Sequence, residues 1–145
     1  MRRTVALVVV SLACAALPLQ GRGQDAQKKP SLALRARPTI AFAPARVTVT
    51  AEVRGGSDDY RAFYCPALEW EWGDGTRSEA ESDCDPYEPG KSEIRRRYVA
   101  QHTFRQPGTF RVQLRLKQGR DVAGQAGVTI SVRPGFPGDP SPEAR

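Results

Sequence analysis

Leu68-Glu69-Trp70-Glu71-Trp72-Gly73-Asp74-Gly75-Thr76 is the stretch on which the fold turns. Leu68, Trp70 and Trp72 share one parity and Glu69 and Glu71 the other. An extended chain therefore turns two indoles to one side and two carboxylates to water. Gly73-Asp74-Gly75 then ends the strand sharply, because glycine accepts positive φ and an aspartate can bond its own backbone two residues on. Asp74 is expected to hold this turn, and Trp70 and Trp72 to fill the space between two sheets.

The same period of two extends to either side. Upstream, Leu32, Leu34 and Ala36 alternate with Ala33, Arg35 and Arg37 until Pro38 interrupts, as suits an edge strand. Val47, Val49, Ala51 and Val53 alternate with Thr48, Thr50, Glu52 and Arg54, and Gly55 to Asp59 closes that strand in a loop. Downstream, residues 76–93 form a long polar connection rich in acid. Tyr98, Ala100, His102 and Phe104 follow as another alternating set, and Pro107-Gly108 suits the centre of a type II turn. Phe110, Val112, Leu114 and Leu116 face inward while Arg111, Gln113, Arg115 and Lys117 face out. Gly119-Arg120 marks a further turn, and Val128, Ile130 and Val132 form the last strand. About seven strands in roughly 100 residues, with turn chemistry between them, is the spacing of an all-β sandwich. No stretch sustains a 3.6-residue period and no internal repeat is present, and the 13 glycines and 12 prolines agree with a turn-rich β domain.

The two ends read differently. Met1-Arg2-Arg3-Thr4 is a short cationic start, and Val5 to Leu19 is almost wholly apolar. Fifteen residues at helical rise span about 22 Å, short of the ~30 Å of a bilayer core, so residues 1–23 are expected to be a signal peptide cleaved after Gly23. Cys14 follows Ser11-Leu12-Ala13, a lipobox-like run with serine in the leucine place, so a cysteine inside the apolar segment is the plainer reading than a lipidated one. Residues 24–30 are expected to be a flexible lead-in, and the Pro/Gly-rich residues 134–145 a disordered tail without means of packing. The formal charge of +6 includes three arginines of residues 1–23. Without them 19 basic groups stand against 16 acidic ones, which removes much of the support for a nucleic-acid partner. Export exposes Cys65 and Cys84 to an oxidising compartment, where the pair is expected to form a disulfide; two thiols and a single histidine make a poor zinc site.

A family resemblance rests on two motifs. Trp70-Glu71-Trp72-Gly73-Asp74-Gly75-Thr76 resembles the PKD-domain motif W-D-F-G-D-G-S/T. His102-Thr103-Phe104-Arg105-Gln106-Pro107-Gly108-Thr109-Phe110-Arg111-Val112 resembles its partner H-T-Y-x-x-P-G-T-Y-x-V. The likeness covers about residues 31–133 and includes a Val-x-Ile-x-Val ending at Val132. Trp72 replaces the usual Phe, Glu71 the usual Asp, and Phe104 and Phe110 the usual tyrosines. The connection between the motifs is longer than typical and contains Cys84. The resemblance implies a seven-stranded immunoglobulin-like (PKD-type) β-sandwich serving as a spacer or adhesion module. It also implies that Trp70, Trp72, Gly73, Asp74, Gly75, His102, Phe104, Pro107, Gly108 and Phe110 are structural. Such domains in bacteria commonly accompany secreted proteases, collagenases and polysaccharide hydrolases.

Chemistry-bearing residues are few. His102 is the only histidine, on the core side of its strand. Glu79, Glu81, Asp83, Asp85 and Glu88 can supply oxygen ligands to calcium, yet they lack the glycine-punctuated spacing of an EF-hand loop, and a solvated loop is the plainer reading. No cofactor is otherwise expected. Among the basic residues, which include Arg95, Arg96, Arg97 and Arg105, the trio Arg111, Arg115 and Lys117 shares one strand face. That face is a candidate surface for an anionic polysaccharide, a partner for the acidic loop, or an ordinary charged exterior that discourages edge association. There is no G-x-S-x-G elbow, phosphate-binding loop or H-E-x-x-H. The sequence therefore predicts a non-catalytic, monomeric, secreted or periplasmic module that binds a protein or an extracellular or envelope polysaccharide. It predicts no nucleic-acid partner and no transmembrane span after signal cleavage. The alternatives are a structural envelope lipoprotein anchored through Cys14 and a metal-dependent hydrolase built on the acidic loop.

Overall fold

The computed structural model describes residues 28–135. The expected signal peptide, its cleavage point, Cys14, the lead-in as far as residue 27 and the tail from residue 136 lie outside the described residues.

Alternation becomes two stacked sheets. Strands β1 (Ser31–Arg37), β3 (Ala45–Arg54) and β6 (Arg97–Phe104) form an antiparallel sheet in the order β1-β3-β6. Strands β2 (Ile40–Phe42), β8 (Asp121–Arg133), β7 (Gly108–Gln118), β4 (Ala67–Glu71) and β5 (Arg77–Ala80) form the other, in the order β2-β8-β7-β4-β5. Only the β2–β8 pairing is parallel. Val47, Val49 and Ala51 from β3 meet Trp70 from β4, Val112, Leu114 and Leu116 from β7, and Ile130 and Val132 from β8, all buried. Each large side chain removed from water there contributes about 1.5–3 kcal/mol.

Eight strands are present where the alternation suggested about seven, and two of them explain the difference. Around Pro38 the chain leaves the three-stranded sheet and, as β2, joins the other one beside β8, where Ser131 N–H donates to Thr39 O at 2.8 Å. The second, β5, lies inside the stretch expected to be a loop. All four of its residues are exposed, so no buried parity marks it. It is held by pairing with β4 and by the Ser78 hydroxyl, which accepts the Trp72 Nε1–H at 3.0 Å. Gly108 also departs from expectation. It opens β7 opposite Val132 without the positive φ of a type II turn, so the β6–β7 turn closes before it.

The remaining connection is fastened at both ends. Cys65 and Cys84 form a disulfide with Cα atoms 6.3 Å apart. Tyr64 Oη donates to Asp85 O at 3.0 Å and Tyr87 Oη to Asp59 O at 2.6 Å, with the two rings edge to face. Ile94 is buried, and its N–H donates to Asp58 O. A short 3-10 turn, Arg61–Phe63, drives Phe63 into the core against Gly124, where a Cβ would stand 2.8 Å from the Phe63 ring.

Candidate functional site

The two motifs meet at one end of the sandwich. Trp72 N–H donates to Thr76 O at 3.1 Å, closing the turn that carries Gly73, Asp74 and Gly75. Asp74 Oδ1 accepts from Thr76 N–H at 3.0 Å and from the Thr76 hydroxyl at 2.6 Å, while Oδ2 lies 2.7 Å from His102 Nε2. Burial pushes the Asp74 carboxyl up, but the bonds from Thr76 and His102 outweigh it, and the group sits below the usual carboxylate range. An ionised carboxylate only accepts, so His102 Nε2 carries the proton of that bond. The imidazole stacks on Trp72 at 4.5 Å, Trp72 stacks on Trp70 at 5.5 Å, and Phe104 meets His102 edge-on before stacking on Phe110 at 4.6 Å. Side-chain exposure of His102 and Asp74 is 19% and 20%, at the rim of a groove of about 410 Å³ that includes Phe110 and Pro107. The Thr76 hydroxyl gives its proton to Asp74 and not to the imidazole, so this arrangement is a clamp and not a nucleophile–base pair.

Arg111, Arg115 and Lys117 share the outer face of the five-stranded sheet, and neighbouring strands determine what two of them do. Glu69 stands opposite Arg115, and Glu71 opposite Arg77. Arg115 donates to Glu69 Oε1 at 2.7 Å and to Glu71 Oε2 at 3.0 Å, Lys117 to Glu69 Oε2 at 3.2 Å, and Arg77 to Glu71 Oε1 at 2.7 Å. Bonds from Arg115 and then Lys117 hold the Glu69 carboxyl below the usual range. The anions that engage these cations, Glu69 and Glu71, come from β4 and not from the acidic connection. Arg111, at the end of this row, packs its backbone against Gly73.

Glu79 lies on β5 directly across from Glu69, whereas Glu81, Asp83, Asp85 and Glu88 follow along the exposed connection. Among the described residues no three carboxylates, histidines or cysteines gather as a group able to hold a metal ion, so the calcium reading finds no site geometry there.

Residues 31–132 match the model of the PKD domain family. The chain belongs to the PKD domain family. PKD domains are typically extracellular, generally non-catalytic interaction modules. Among solved structures this PKD domain is similar to that of an M14-like peptidase from Thermoplasmatales archaeon SCGC AB-540-F20. Identity is 14% and the TM-score 0.50, over 74% of this chain and 99% of that one. It is also similar to a CARDB domain from Pyrococcus furiosus, with 11% identity and a TM-score of 0.44 over 74% and 96% of the two chains. No curated protein matches the chain.

On the other sheet of this PKD domain, three further arginines make no side-chain hydrogen bond or contact ion pair among the described residues. Arg35 and Arg37 on β1 and Arg97 on β6 point away from the core beside Thr48, Thr50 and Glu52 of β3. Each stands at an outward parity readable in its own strand. That the three share one face follows only from the pairing of β1 and β6 with β3, which no local pattern encodes.

Proposed function

We propose that the chain is an exported, non-catalytic PKD module that binds a protein or a polysaccharide at the cell envelope or outside the cell. The observation that carries this reading is the PKD match over residues 31–132. The Cys65–Cys84 disulfide supports an oxidising compartment. The Asp74–His102 clamp supports a non-catalytic reading, since the only histidine joins two strands through the turn carboxylate. No helix among the described residues is long and apolar enough to cross a membrane.

Cells expressing the full chain provide the test. The expected product is recovered outside the cytoplasm, begins near Gln24 by intact mass, and binds at least one envelope polymer or surface protein saturably without turning it over. A product that keeps Met1 and stays in the cytoplasm overturns the export reading. Turnover of any substrate that disappears in His102→Ala overturns the non-catalytic one. An acylated Cys14 would instead establish the anchored envelope form.

A further inference from the structure

Charge is distributed unevenly between the two outer faces. On the five-stranded sheet, Glu69 and Glu71 engage Arg115, Lys117 and Arg77. The three-stranded sheet instead presents Arg35, Arg37, Arg46, Arg54 and Arg97 outward against a single carboxylate, Glu52. Glu52 is taken by Arg54 at 2.5 Å, and Arg46 donates to Gln101 at 2.5 Å. The side chains of Arg35, Arg37 and Arg97 make no hydrogen bond or contact ion pair among the described residues. They act on Glu52 only from a distance, where Arg35 and Arg97 add to the Arg54 bond in lowering its carboxyl. The three line an open groove of about 460 Å³ floored by Thr48 and Thr50. Along β1 the two arginines are ~7 Å apart, and Arg97, level with Ala33, lies two strand spacings (~9.5 Å) across the sheet and two residues (~7 Å) further along than Arg35.

We infer that this face, built on Arg35, Arg37 and Arg97, binds a carboxylated polysaccharide, an inference that rests on the export and binding reading above. Planar guanidinium forks match carboxylates in a bidentate way. The Thr50 hydroxyl and the second oxygen of the Glu52 carboxylate, whose Oε2 is held by Arg54, can bond sugar hydroxyls, which a uronate chain carries on every sugar and a polyphosphate lacks. The three cations are dispersed over the face and do not form a dense run. A protein partner calls for a desolvated aromatic or aliphatic anchor at its centre, whereas the only large exposed apolar side chain on this face is Val99, 56% exposed.

Alginate is the probe, and the ligand-binding sample is the product recovered from cells expressing the full chain. The triple variant Arg35→Gln/Arg37→Gln/Arg97→Gln should bind alginate at least about tenfold more weakly, and Arg111→Gln/Arg120→Gln/Arg133→Gln, an equal loss of charge elsewhere, less than about twofold. Wild-type binding should weaken steeply between about 50 and about 300 mM salt and be absent with neutral dextran. All substituted side chains are exposed, and equal melting temperatures establish that both variants fold. Equal losses in the two triples, no loss in the first, or tighter binding to polyglutamate, dextran sulfate or anionic vesicles than to alginate overturns the assignment. An exported protein that binds alginate through the second trio defeats the face and leaves the proposed function standing. A protein retained in the cytoplasm that still binds through the first trio does the reverse.

Discussion

Gly73 and Gly75 sit two residues apart in the same turn, and both have positive φ, at +82° and +88°. Their surroundings differ. A Cβ on Gly73 would stand 2.8 Å from the backbone N and O of Arg111, whereas one on Gly75 would meet nothing within 4 Å. Alanine at Gly75 should therefore cost only the backbone term, about 1 kcal/mol, and alanine at Gly73 that term plus a clash with backbone that cannot yield, about 3 kcal/mol in all. Urea denaturation of the two variants checks the order; equal losses would show that the β4–β7 approach is not tight. Tyr98 offers the opposite case, a buried hydroxyl with no hydrogen-bond partner among the described residues. Tyr98→Phe removes an unsatisfied polar atom while keeping the ring, so stability should hold or rise by up to about 1 kcal/mol. A loss of more than that would mean the hydroxyl has a partner. At this scale the sequence is informative about local bonds only. Gly-Asp-Gly announces a turn held by Asp74, but the second bond of that carboxylate reaches His102, 28 residues away, and no spacing rule specifies it.

Strands with a buried face were legible because water sorts their side chains by parity, as in β3 with Val47, Val49, Ala51 and Val53 inward. Strand β5 was not, since Arg77, Ser78, Glu79 and Ala80 are all exposed and pairing with β4 alone defines them. The three-residue β2 escaped for a related reason, its Ile40 and Phe42 being largely exposed. The disulfide follows from compartment and cysteine count, but what it fastens does not. It ties the entry to β4 to a connection otherwise secured by Tyr64, Tyr87 and Ile94. The cysteines are 19 positions apart, a loop whose closure in the unfolded chain is worth about 3 kcal/mol. Replacing both with serine should lower stability by about that amount. It should also make the connection between β5 and β6 the first site of limited proteolysis, mapped by fragment mass. First cleavage elsewhere would show that the tyrosines and Ile94 hold the segment without the bond.

Over the whole molecule, both sheet exteriors depend on ionised carboxylates. Glu69 is lowered by bonds from Arg115 and Lys117, Glu52 by the bond from Arg54 with Arg35 and Arg97 further off, and Asp74 by Thr76 and His102 against the upward push of burial. A carboxyl lowered in the folded state binds fewer protons there than in the unfolded chain. Its contribution is therefore complete above the unfolded value and is lost as pH falls through the folded one. All three groups act in the same direction. Protonation also removes the counter-charge that Glu52 sets among the arginines of β1, β3 and β6, leaving the alginate-binding face proposed above as uncompensated positive charge. The melting temperature should stay nearly level from about pH 7 to about pH 5 and fall steeply below about pH 4. Asp74→Asn should melt lower than wild type at neutral pH yet lose less on acidification, because one of the titrating groups is gone. A melting temperature that holds or rises at about pH 3 would mean that these carboxylates gain nothing from their partners on folding. The charge ladder on β4 and β7 would then fix the register of the strands without adding to their stability.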